Sequence, residues 1–162
     1  MMTAAIMLGS CSQSAENKIL QSRIDSLEKQ LAASYKPGFG EFMSGIQVHH
    51  AKLWFAAQNQ NWKLADFEIH EITEAIEAIQ QYETARPETN KIGMIHPALD
   101  SVNAAITKKN ITEFESGYKL LTNTCNGCHQ SVGFEFTKVK IPDSPPFNNQ
   151  DFKPAGTDHS TK

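Results

Sequence analysis

The stretch NITEFESGYKLLTNTCNGCH, Asn110 to His129, decides the fold. Phe114, Tyr118, Leu121, Cys125 and Cys128 recur in it at spacings of 4, 3, 4 and 3, the signature of one apolar stripe along an α-helix. Asn110 followed by Glu113 has the form of a capping box, in which the first side chain takes up orphan amides and the second reaches back. The stretch therefore reads as an amphipathic helix that opens at Asn110 and carries two cysteines on its buried face.

Upstream lie three more segments of the same kind. Pro97, a residue favoured at the first helical position, opens a helix with Leu99, Val102 and Ile106 on one side. Lys108 and Lys109 complement the dipole at its end. Thr84 to Gly93, with Pro87, reads as a loop. From Trp62 to Glu83, the residues Ala65, Ile69, Ile72, Ile76 and Ile79 repeat at 4, 3, 4, 3, and Glu68, Glu71, Glu74 and Glu77 read as a solvated acidic face. Before the polar turn Asn59-Gln60-Asn61, a helix from Glu41 to Gln58 lines up Phe42, Ile46, His49, Leu53 and Ala57, flanked by Met43, His50 and Trp54. Four amphipathic helices with short connections predict an all-α domain over residues 39–130, an antiparallel four-helix bundle.

Both flanks differ from this domain. Residues 12–38 read as a tether and helical spacer, in which Leu20, Ile24, Leu27 and Leu31 form a short heptad seam. A weak dimer contact is the alternative use of that seam. Pro37, Gly38 and Gly40 break the helix and mark the domain boundary. Residues 131–162 hold Phe134, Phe136, Phe147 and Phe152 together with Pro142, Pro145, Pro146 and Pro154. So many aromatic rings predict an extended tail lying over the motif-bearing end of the bundle, disordered after Lys153; a wholly flexible tail is the alternative.

Cys125-Asn126-Gly127-Cys128-His129 is C-x-x-C-H, the attachment signature of c-type haem. Two thiols at this spacing can add to the two vinyl groups of one macrocycle, and the adjacent imidazole can then bind iron. His129 lies four residues after Cys125, on the same helical face. A structural zinc site would need a second ligand pair, which the sequence lacks. A redox-active cysteine pair would sit at a helix N-terminus, whereas this one ends a helix. Haem c is therefore the expected cofactor, with Cys125 and Cys128 as thioether anchors and His129 as an axial iron ligand.

A helical bundle with C-x-x-C-H near the end of its last helix resembles the cytochrome c prime family, over about residues 39 to 130. The resemblance implies His129 as the proximal ligand and an opposite iron face that in many members is open to small gases such as nitric oxide. It also implies homodimers formed through the first two bundle helices. This chain departs from the family in its compact bundle, in having no Arg or Lys directly after His129, and in its long tail.

In an up-down bundle the end of the fourth helix lies beside the start of the first and the junction of the second and third. Met43, His50 and Met94 are thus candidate distal ligands, with His96 beside Met94, and Ile46 is a candidate apolar lid. A Met ligand would raise the reduction potential and suit electron transfer. Near the start, Leu8-Gly9-Ser10-Cys11 resembles the lipobox of bacterial lipoproteins, with residues 1–11 as signal segment and Cys11 as the lipidated residue. No Lys or Arg precedes Cys11 and the apolar run is short, so the match is incomplete, and a plain N-terminal tail is the other reading.

The expected protein is a mono-haem electron carrier, not an enzyme, held by lipid on the periplasmic or cell-surface side of a bacterial membrane and exchanging electrons with a redox partner protein. A five-coordinate haem protein that binds nitric oxide or another small gas is the alternative. A net charge of −3 over 162 residues offers no basic stripe for nucleic acid.

Overall fold

The computed structural model describes residues 10–34 and 37–156. The chain divides into two compact units, Met1–Lys36 and Pro37–Lys162. Among its described residues the first holds one helix, α1 (Ser10–Ala33). Residues 1–9 and the side chain of Cys11 lie outside the described residues, and with them the signal and lipidation sites expected there. No helix among the described residues is long and apolar enough to cross a membrane.

The second unit is all-helical among its described residues. Its elements are α2 (Phe39–Gln58), α3 (Trp62–Tyr82), the single turn α4 (Thr89–Ile92), a 3-10 turn at Gly93–Ile95, α5 (His96–Thr107) and α6 (Ile111–Ser131). Local chemistry sets the boundaries. Gln60 takes a left-handed φ of 54°, and Asn61 then caps α3 by accepting from the Leu64 amide. Lys109 turns the chain in the same way at φ 53°. Asn110 accepts from the Thr112 and Glu113 amides while its own amide group donates to Glu113 Oε1 at 3.0 Å.

Helices α2 and α3 pack along one another, as do α5 and α6, while α3 meets α5 and α2 meets α6. Between them lie Leu53, Ile72, Ile76, Ile79, Val102, Phe114, Tyr118 and Leu121, each at most 1% exposed. Each such side chain contributes roughly 1.5–3 kcal/mol from leaving water.

Three expectations need correction here. The segment expected as loop, Thr84 to Gly93, contains α4, because Ile92 and Ile95 fold down to close one end of the core. The buried stripe of α2 is Ile46, His50, Leu53 and Ala57, so His50 lies inside and His49 at the edge. Glu68 does not belong to a solvated face: it is fully buried, its Oε2 lies 2.7 Å from His49 Nδ1, and its Oε1 has no partner among the described residues.

The tail takes a longer path than expected. Its first part lies by the end of α6, where Phe134 and Phe136 pair at 5.5 Å. It then runs to the far end of α2, where Lys52 sits over the Phe147 ring, Phe152 packs on Phe55 at 5.7 Å, and Asn61 donates to the Lys153 carbonyl at 3.1 Å. Only Phe152 is buried; Phe134, Phe136 and Phe147 remain exposed, stacked on each other or beneath a cation instead of in the core. Residues 157–162, where disorder was expected, lie outside the described residues.

Candidate functional site

The end of α6 opens into a cavity of about 540 Å³, within the range of small-molecule and cofactor sites. Cys125, Cys128 and His129 all stand on its wall. Facing them are Met43, Ile46 and His50 of α2, Ile76 of α3, and Ile92 and Ile95. The mouth is edged by Arg86, Lys138 and the tail residues Phe134, Phe136 and Val139. The lining is thus apolar in its depth, with charge from Arg86 and Lys138 at its exposed edge, which suits a flat apolar ligand with charged substituents.

The cysteines are not bonded to one another. Burial pushes the Cys125 thiol up to about 11, with a further push from Cys128. Burial also raises Cys128, against an opposing pull from Lys91. Both therefore stay protonated near neutral pH, unlike the depressed thiols of redox nucleophiles. Nor do any three His, Cys, Asp or Glu side chains among the described residues gather as donors for a bare metal ion.

His129 is oriented by the tail. Its Nδ1 lies 2.8 Å from the Thr137 carbonyl oxygen, which can only accept, so Nδ1 carries the proton. Thr137 Oγ1 stands 3.2 Å from the same nitrogen and has already given its own proton to the Phe134 carbonyl, so it too accepts. This tautomer leaves the Nε2 lone pair for a metal, the arrangement in which ligating histidines are usually held. The tail is itself clipped to the motif: Asn126 donates to the Val139 carbonyl and accepts from the Val139 amide, each at 2.8 Å. The sequence reading missed Asn126 and Thr137. Asn126 occupies one of the two variable places of C-x-x-C-H, and a backbone carbonyl leaves no mark in a sequence.

The three distal candidates separate. Met94 is half-exposed, its Sδ-bearing chain packs by Gly127, and it is absent from the cavity wall. His50 reaches the wall, but its Nε2 is engaged and its Nδ1 faces the Tyr118 hydroxyl. Thr122 gives its hydroxyl proton to the Tyr118 carbonyl at 2.9 Å, so the His50 Nε2–H donates to Thr122 Oγ1 at 3.0 Å. The Tyr118 hydroxyl donates to the His50 carbonyl at 2.7 Å and lies 2.9 Å from His50 Nδ1. Burial lowers the His50 pKa to about 4, so the ring is neutral. Met43 is half-buried on the wall, and its thioether takes no hydrogen bond among the described residues. His96 is half-buried off the wall. No protein-family model, curated protein or solved structure matches this chain.

Proposed function

We propose that this protein is a mono-haem c-type cytochrome that carries electrons, its second unit an antiparallel four-helix bundle. The observation that carries the reading is the shared cavity wall of Cys125, Cys128 and His129, with the His129 proton held on Nδ1 by Thr137 and its Nε2 left available. The cavity fits the group in size and in its apolar depth. Cys125 and Cys128 would hold haem c through thioethers, and His129 would be the proximal ligand. The haem supplies an iron that cycles between two oxidation states. The residues around it keep water from the buried face and hold one imidazole in a fixed tautomer.

On this reading Met43 would join His129 in holding the iron, since His50 would have to surrender the bond to Thr122 first. A thioether paired with an imidazole would raise the reduction potential, which suits electron transfer. The second reading, binding of nitric oxide or another small gas at an open iron face, draws on Ile46, Ile76, Ile92 and Ile95 on the same wall. The proposal extends to Cys11 as a lipid anchor, an extracytoplasmic location and a redox partner protein.

The test is expression of the full chain with an export leader and a cytochrome maturation system. The expected product keeps haem through denaturing electrophoresis, and Cys125→Ala with Cys128→Ala loses it. Sharp low-spin bands indifferent to carbon monoxide, converted to a high-spin, gas-sensitive spectrum by Met43→Ala, support electron transfer. A high-spin wild type that shifts with the gas selects the second reading. A chain that leaves maturation without covalent haem overturns both.

A further inference from the structure

Helix α1 carries an apolar seam that is exposed among the described residues. Leu20, Ile24, Leu27 and Leu31 are all exposed, from 46% at Ile24 to 66% at Leu31. A helix draws most of its stability from covering such a face. The spacings of 4, 3 and 4 assign Leu20 and Leu27 to d positions and Ile24 and Leu31 to a positions of a heptad. We infer that α1 pairs in parallel and in register with α1 of a second copy of this chain.

Three features of the helix select that occupant. Ile24 at a between Leu20 and Leu27 at d favours two parallel strands over three or four. Asn17 falls at the preceding a position, where a polar residue facing its own copy fixes register and number of strands. Arg23 falls at g and Glu28 at the following e, both exposed, so a parallel pair brings Arg23 of each copy to Glu28 of the other. An antiparallel pair centred on the seam would instead set Arg23 beside Gln30 and Glu28 beside Gln21, leaving both charges without an opposite partner. The seam is only about two heptads long, so the association is weak and reversible. It does not depend on the haem reading.

Sedimentation equilibrium of the full chain carrying Cys11→Ser, which removes lipid and stray disulfides, tests the inference. The expected mass rises with concentration from one chain toward two. Ile24→Asp holds it at one chain, while circular dichroism and thermal unfolding of the second unit stay unchanged. Arg23→Glu sets like charges together at both symmetry-related sites and weakens the pair about tenfold. Adding Glu28→Arg to Arg23→Glu restores it. A chain monomeric at every concentration overturns the inference. So does a dimer that survives Ile24→Asp, which would lie on another surface, or one that the charge swap fails to rescue.

Discussion

His50 is a neutral imidazole held inside the second unit by Thr122 and Tyr118, with the Tyr118 ring stacked on it at 4.5 Å. In the unfolded chain the same ring takes up a proton near its ordinary 6.5, whereas in the folded chain it does so only near 4. Between those values the unfolded state binds more protons, so stability rises with pH there and falls as the solution is acidified. The loss begins below about pH 6.5, is complete near pH 4, and amounts to roughly 3 kcal/mol. His50→Gln carries no such proton and flattens this part of the profile, at the cost of imperfect bonds to Thr122 and Tyr118. Urea midpoints measured across the window in both proteins check it; equal slopes would show that the folded ring is protonated as readily as the unfolded one. His129 differs in every respect, being bound at one nitrogen by a backbone carbonyl and open at the other. Two histidines in one cavity thus have opposite availability, for reasons that lie in their neighbours.

At the scale of the helix, packing decides what propensity alone would get wrong. Gly117 of α6 faces α5, and a Cβ there would stand 3.2 Å from Ser101 Oγ, 3.3 Å from Val102 Cγ2 and 3.3 Å from the Val102 backbone nitrogen. Ser101 can rotate away, but the Val102 backbone cannot. Gly117→Ala therefore loses more by overpacking, about 1–3 kcal/mol, than the roughly 1 kcal/mol it gains in helix propensity. Gly45 of α2 has nothing within 4 Å of its Cβ position, so Gly45→Ala keeps the gain and stabilises by about 0.5–1 kcal/mol. Opposite shifts of the two denaturation midpoints are expected, and a raised midpoint in Gly117→Ala would mean that α5 and α6 are free to separate. The helices themselves were legible in the sequence, because the isoleucine stripe of α3 and the Asn110 cap are periodic or local signals. Rotation about the α2 axis was not. Periodicity puts His49 on the stripe and His50 beside it, and only Thr122 and Tyr118, supplied by α6, make His50 the inner one. Glu68 was misread for the same reason: its partner His49 comes from another helix. Of the site, the C-x-x-C-H residues were legible as a motif and the up-down order of helices already put Met43, Ile46 and His50 beside them, whereas the Thr137 contact to His129 and the Asn126–Val139 clip come from the fold of the tail.

Across the whole second unit, the tail is fastened at two separate places. Near the motif, Asn126 holds Val139 by two hydrogen bonds and Thr137 accepts from His129. At the far end of α2, Phe152 is buried on Phe55 and Asn61 holds the Lys153 carbonyl. The connecting residues Asp143 to Asn149 are mostly exposed, so little packing links one fastening to the other. Openings of the two ends should accordingly be independent. Phe152→Ala removes a buried ring and costs about 3 kcal/mol in global stability, yet it leaves the Val139 amide protected by Asn126 Oδ1. Asn126→Ala forfeits two bonds, about 2 kcal/mol, and strips that protection while the Phe152 end stays in place. Amide hydrogen exchange under native conditions, where local opening dominates, reads the difference at Val139 directly. Fast exchange of Val139 in Asn126→Ala and not in Phe152→Ala is the expected result. Fast exchange in both would make the tail one cooperative strap, so that loosening at the far end of α2 would reach the Thr137 carbonyl and the proton it fixes on His129.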